Sequence, residues 1–501
     1  MKTVIRQKFF YPIFIPILVI LYYSVFLNIG EYSNTSYFGG DEYGYQSMGV
    51  NFTYGHGIQK LGGLEEFETY KFAPREDISG ELLEFPDMNI DFFYRTPAYP
   101  MFLGVIYKVF GVEPIIAKHI QLLLLVLIAA FLPLVGQFYW NLHGFYNGMI
   151  AGPIYLIMNY KFSENLLTES LISFSIFLVV LAYIYFEMKN KSSRATIILG
   201  LACGTCLLVK GSLVFLPILI SGYFGYLFYK NRDRVIIRRI ALFLTAFALT
   251  VLPWSVYASV KSGELILIST QGKAVFMDTN NEYADGRWRP QWKRDPNSFY
   301  MNDGMQESSA IFRVANFYLH NPGTLPVLLW KKFVQGYGYL LTTWILLLVL
   351  FLDSVRVLLK KALTANLIRW LFSLIMVLMT GIIVYYWKTY LMADVLHFYT
   401  ILSSTTAIRW FQLLLIALAI VVPTYLSRNG RMHVKAPEIF VLLFFNFLIV
   451  TLLTCADHTI YPSRYVKVMD FVLILFTVHY ISSFTVTMVK LPRMQRMNEN
   501  P

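Results

Sequence analysis

Charged side chains are scarce in this sequence. Only 14% of its 501 residues are Asp, Glu, Lys or Arg, while 56% are hydrophobic. That ratio excludes an ordinary soluble enzyme and fits a chain that crosses a bilayer many times. Cysteine is rarer still, with three in all. Cys203 and Cys206 form a C-x-x-C inside an apolar run, and Cys455 lies near the end of another. With no His beside them and no soluble βαβ context, they read as buried packing residues rather than a redox or zinc pair. No glycine-rich phosphate loop follows a strand pattern, so nucleotide binding has no support. Internal repeats of fixed period and low-complexity linkers are also missing. The net charge of +12 does not point to nucleic acid, because the basic residues fall mainly in short loops between apolar runs.

Apolar runs are what the chain has in abundance. A bilayer crossing needs about 20 such residues. The expected spans are 9–28, 115–138, 144–160, 166–187, 195–210, 212–229, 236–259, 336–352, 370–387, 407–426, 437–454 and 466–488. The first is flanked by Lys2, Arg6 and Lys8 but has no small-x-small cleavage site, so it reads as an uncleaved span. With the N-terminus inside, successive inner loops carry Lys189, Lys191 and Arg194; Lys230, Arg232, Arg234, Arg238 and Arg239; Arg356, Lys360, Lys361 and Arg369; and Arg428, Arg431 and Lys435. Lys490, Arg493 and Arg496 follow the last span, and only the 140–142 link lacks basic residues. The positive-inside rule then puts both termini in the cytoplasm of a multi-pass plasma-membrane protein. The expected fold is an all-α polytopic bundle of about 12 transmembrane helices, a single domain over residues 1–501.

Two large segments, 30–114 and 260–335, are then extracytoplasmic. The first is acidic in its middle, from Glu65 to Asp91, and ends in the apolar stretch Ala98–Phe110. That stretch is too short to span. It follows Pro97 and stops at Gly111, so it is expected to lie in the interface with Lys108 reaching toward headgroups.

The candidate chemistry sits on this outer side. Asp41 and Glu42 follow the first span and open a helix-like segment that stops at Gly55-His56-Gly57. Tyr45 lies four residues after Asp41, on the same helical face. A carboxylate at a membrane surface suits a general base for a lipid-borne substrate. Asp is equally a favoured N-cap, and both readings stay open from these residues alone. Glu169 falls in the outer first turn of the fourth span, where an acid embedded in the membrane points to function. Lys210 ends the fifth span on its outer side, where positive-inside sorting gains nothing from it. Arg95, beside Pro97, and Arg464, in Tyr461-Pro462-Ser463-Arg464-Tyr465, add two more outer cations. Several cations beside two acids suit an anionic leaving group handled next to a base. Residues 278–288, with Asn281 and Arg287, are polar and aromatic enough to suit a carbohydrate or polyprenyl headgroup. His56, His458 and Glu42 lack metal-ligand spacing, so a divalent metal is left open and no other cofactor is indicated.

Taken in order, these residues look familiar. The series runs from Asp41-Glu42-x-x-Tyr45 and Gly55-His56-Gly57 to Arg95-Thr96-Pro97-Ala98-Tyr99-Pro100. It continues with Leu167-Thr168-Glu169-Ser170, Gly200, Leu208-Val209-Lys210 and Pro253-Trp254. It closes with Asn280-Asn281, Asp285-Gly286-Arg287-Trp288 and His320-Asn321-Pro322-Gly323. It resembles the bacterial branch of GT-C glycosyltransferases, the group of the aminoarabinose transferase and the protein O-mannosyltransferase-like enzymes, over roughly the first two thirds of the chain. The resemblance implies a GT-C-type bundle. It implies transfer of a sugar from a polyprenyl-phosphate donor to a glycan, lipid or protein acceptor on the outer face. Asp41 and Glu169 would be its two catalytic acids. Arg95, Lys210 and Arg464 would bind the donor phosphate, with Glu42, Tyr45, His56, Asn281 and Arg287 near substrate. Where such enzymes have a basic-Pro-Pro element, this chain carries Thr96 in second place. The rival readings are a lipid or sugar transporter or flippase, and a lipid-linked polysaccharide polymerase or ligase. The clustering of charge at one face argues against the transporter.

Overall fold

A computed structural model of the protein describes residues 14–25, 41–55, 57, 93–301, 309–337, 438–454, 467–480 and 482. The expected spans 370–387 and 407–426, nearly all of 336–352, and the candidates His56, His458, Arg464 and Cys455 lie outside the described residues. The chain divides into two compact units, Met1–Gly336 with Ala436–Phe471, and Tyr337–Lys435 with Val472–Pro501. Nearly everything described belongs to the first.

All regular structure among the described residues is helical. In chain order the helices are α1 (Phe14–Val25), α2 (Asp41–Thr53), α3 (Ala98–Phe110), α4 (Pro114–Asn159), α5 (Glu169–Met188), α6 (Ser193–Val209), α7 (Leu216–Asn231), α8 (Arg234–Ser262), α9 (Gln271–Asp278), α10 (Ala310–His320), α11 (Thr324–Tyr337), α12 (Glu438–Leu453) and α13 (Asp470–Tyr480). Among the described residues, four apolar helical stretches are long enough to cross a membrane: Pro114–Ser163, Glu169–Met188, Gly211–Asn231 and Arg234–Ser262. The described part of the chain therefore has the character of a helical membrane protein.

Helix α4 is really a hairpin. Its geometry breaks at Trp140 (φ −134°) and Asn141 (φ 57°), inside the 140–142 link expected between two spans. Asn tolerates this left-handed φ better than most residues. The two legs then run back along each other in very close contact. A Cβ on Gly136 or Gly144 would strike the other's carbonyl, one on Gly148 would strike Leu132, and one on Gly152 would meet the Ala129 carbonyl at 2.7 Å. The spacing Gly144-x-x-x-Gly148-x-x-x-Gly152 is what allows backbones to approach inside lipid, where packing replaces the hydrophobic effect as the driving force. Helices α6 and α8 meet the same way. A Cβ on Gly200 would lie 2.5 Å from the Phe243 carbonyl, and one on Gly204 would lie 2.6 Å from Thr250. Cys203 and Cys206 are buried free thiols on α6 and pack as expected.

The helix expected at 98–110 appears as α3, with the boundaries read from Pro97 and Gly111. Gly111 closes it at φ 88°. Tyr99, Leu103 and Tyr107 face inward, whereas Met101, Val105, Val109 and Phe110 are uncovered. Helix α3 holds α2 through Gly104, and the Thr53 hydroxyl donates to the Gly104 carbonyl at 3.1 Å. This contact fixes the helix that begins at Asp41. The residues after α8 fold back over its last turns. Trp254 Nε1 donates to the Ile268 carbonyl at 2.7 Å, and the Ile266 amide donates to Ser259 Oγ at 2.9 Å.

Candidate active site at one end of the bundle

The N-terminus of α2, the N-terminus of α5, the C-terminus of α6 and the segment 93–97 converge at one end of the helices. Asp41, the first residue of α2, forms an ion pair with Arg95. Glu169, the first residue of α5, forms another with Lys210, 3.1 Å away and just past α6. One hydrogen bond joins the two pairs. The buried Thr96 hydroxyl donates to the Val209 carbonyl at 2.7 Å, so the residue after Arg95 is tied to the residue before Lys210. Asp41 was equally readable as a plain N-cap. Its carboxylate takes a side-chain partner 54 residues away. At the start of α5 the N-cap residue, Thr168, makes no side-chain capping bond.

The pairs differ in exposure. Asp41 and Arg95 side chains are 36% and 11% exposed, and those of Glu169 and Lys210 are 3% and 16%. Glu169 is thus the sequestered acid and Asp41 the accessible one. Arg95 also lies over the rings of Tyr45 and Tyr94, at 4.9 and 5.1 Å from their centroids. Burial works to lower its pKa, but Tyr45, Asp41 and Tyr94 outweigh that and hold it above the ordinary arginine value. It stays a cation. Its backbone is fixed on the other side as well. The Thr270 amide donates to the Phe93 carbonyl at 2.9 Å, and the Gln271 amide donates to the Tyr94 carbonyl at 3.2 Å.

Several residues not singled out in the sequence complete the wall. The Tyr45 ring meets Tyr99 edge-on at 5.0 Å. The Tyr99 hydroxyl donates to Gln121 Oε1 at 2.7 Å, and Gln121 Nε2 donates to the Asn165 carbonyl at 3.0 Å. Burial raises the Tyr99 pKa far up, and Tyr107, Glu169, Tyr45 and Glu42 add to the effect, so this phenol is a fixed neutral donor. Glu42 is buried in α2, and Lys118, one helical turn before Gln121, feels its charge together with that of Glu164. Burial raises the Glu164 pKa, against the pull of Lys161 and Lys118. Gln121 and Lys118 had a signal: polar groups three apart in an otherwise apolar run.

Asn281 and Arg287 belong to a polar knot that follows α9. At its centre is Asp278, which accepts from Trp292 Nε1 at 2.9 Å, Trp288 Nε1 at 3.0 Å and Lys293 Nζ at 3.0 Å. The Asn281 amide donates to the Met277 and Arg289 carbonyls at 3.0 and 2.9 Å and accepts from the Tyr283 amide at 2.9 Å. Its side chain holds the loop's own backbone. Arg287 donates its backbone N–H to Asp285 at 3.1 Å. Among the described residues, no three His, Cys, Asp or Glu side chains are grouped to hold a metal ion.

No family model matches this chain, and no curated protein or solved structure is similar to it. The site offers an accessible carboxylate, a permanent cation beside it, and a second cation locked against a buried acid, all at the end of an apolar bundle.

Proposed function

We propose that the protein is a membrane-embedded glycosyltransferase of GT-C type. In this reading it moves a sugar from a polyprenyl-phosphate donor to an acceptor on the extracytoplasmic face, with inversion at the anomeric carbon. The observation that supports it is the convergence of the Asp41–Arg95 and Glu169–Lys210 pairs, joined through Thr96 and Val209. A guanidinium has five N–H donors, so Arg95 can hold Asp41 and a phosphate oxygen together. Lys210, held by Glu169, supplies a second positive charge to the same phosphate.

Asp41 takes the proton from an acceptor hydroxyl or amine as that atom attacks the anomeric carbon. The bond from that carbon to the phosphate oxygen breaks, and its electron pair leaves with the phosphate. Arg95 and Lys210 stabilise the departing polyprenyl phosphate. Glu169 acts through Lys210 as a positioning residue. Asn281 has no part in this scheme.

The test is to supply purified protein in lipid nanodiscs with polyprenyl-phosphate sugars of several kinds and follow free polyprenyl phosphate by mass spectrometry. Asp41→Asn should lower turnover by roughly a hundred- to ten-thousand-fold while leaving folding and donor binding nearly unchanged. Full turnover in Asp41→Asn would remove Asp41 from the mechanism. Movement of the donor across the bilayer without phosphate release would replace the transferase with a flippase.

A further inference from the structure

Helix α10 carries a stripe the proposed chemistry does not use. Ile311, Ala315 and Leu319 recur every four residues, with Phe312 beside them, and all four are exposed. Ile311, Phe312 and Leu319 are 74%, 55% and 78% exposed. The inward face of the same helix is well filled, with Val314 and Phe317 packed among Met277, Trp292 and Tyr300. A third face carries Arg313, Asn316 and His320. A helix with one packed side needs no second apolar face, and uncovered apolar side chains in a row mark a contact surface.

The neighbours of α10 point to what covers that face. Helix α12 is an apolar helix of 16 residues, about 24 Å long. At its C-terminal end, Lys332 Nζ donates to the Leu452 and Leu453 carbonyls at 3.1 and 3.2 Å. Asn280 Nδ2 donates to the Leu453 carbonyl at 2.8 Å. Asn280 Oδ1 in turn accepts from Lys332 Nζ at 2.6 Å and from the Tyr318 hydroxyl of α10 at 2.7 Å. One side-chain amide therefore separates α10 from the end of an apolar helix. The end of an apolar helix is where a bilayer interface is expected, and there an apolar stripe sinks among acyl chains and neighbouring cations meet phosphates.

We infer that α10 is an interfacial helix. It buries Ile311, Phe312, Ala315 and Leu319 in the outer leaflet and presents Arg313 and His320 to the headgroups. It anchors the described segments 271–301 and 309–337 to the membrane surface independently of any catalytic role.

Two measurements on the full-length protein test this. In nanodiscs, single cysteines on a background lacking Cys203, Cys206 and Cys455 would carry a spin label at 311, 312, 315, 316, 319 or 320. Labels at the first three positions and at 319 should be several-fold more accessible to oxygen than to a water-soluble nickel chelate, with the order reversed at 316 and 320. The unsubstituted protein would also be photolabelled with diazirine phospholipids and mapped by mass spectrometry. Adducts are expected between Ser309 and Asn321, alongside those on the exposed α8 residues Leu249, Leu252, Val256 and Val260. Labels at 312 and 319 as open to nickel as those at 316 would overturn the inference. So would lipid adducts on α8 with none on α10.

Discussion

Replacing Lys210 by methionine would isolate the worth of the sequestered ion pair. Glu169 is 3% exposed, so losing its ammonium partner leaves a carboxylate in a nearly dry site. Breaking a buried pair from one side costs about 3–5 kcal/mol, because the remaining charge loses its counter-charge. Replacing both partners by uncharged groups of similar size is often close to neutral. Lys210→Met should therefore lower the unfolding free energy by about 3–5 kcal/mol, and Glu169→Gln/Lys210→Met should recover most of that loss. The assay is reversible unfolding in mixed micelles, run as a double-mutant cycle with Glu169→Gln as the fourth corner. A Lys210→Met protein as stable as the parent, or a double variant no better than Lys210→Met alone, would refute the reasoning.

Thr96→Val keeps the shape of the side chain and removes the donor to Val209, a bond worth about 0.5–1.5 kcal/mol. It should reduce phosphate release several-fold while Thr96→Ser retains it. Equal rates for the two variants would mean that the Arg95–Lys210 spacing does not depend on this bond. Gly148→Leu places a side chain against the Leu132 backbone, which has no room to move, and should cost about 1–3 kcal/mol or more, read as a loss of folded protein on size-exclusion chromatography. Asp285 gives a pH dependence. Burial works to raise its pKa, but the hydrogen bond and charge of Arg289 and the Arg287 amide bring it below the ordinary 3.8. A lowered carboxylate pKa stabilises above the ordinary value, and the effect is lost as pH falls through the folded one. Protection of the Arg287 amide, corrected for intrinsic exchange, should therefore drop in acid below that range. Unchanged protection there would show that the carboxylate does not hold the turn.

Much of the architecture was legible because lipid imposes simple rules. Length and apolarity gave most of the described helices within a few residues, and Pro97 and Gly111 gave both ends of α3. The break at Trp140–Asn141 was legible as a short polar link. The glycine contacts that close the hairpin were not anticipated, since they depend on which legs face each other. The site was partly legible for the same reason. Glu169 and Lys210 stood out as charges at helix ends on the side expected to be outer, but nothing in the sequence says that they touch. The Asp41–Arg95 pair joins residues 54 apart, and no local pattern encodes that distance. Asn281 shows the opposite limit. Its residue type suits a sugar, but it also suits a turn, and here its amide holds backbone.

Arg95 rests on a main chain pinned from two directions, by Thr270 and Gln271 on one side and through Thr96 to Val209 on the other. Its Cα has little freedom to travel, while its long side chain keeps its own torsions. Any adjustment of this cation toward an incoming anion beside Asp41 is then a rotation about side-chain bonds and needs no rearrangement of helices.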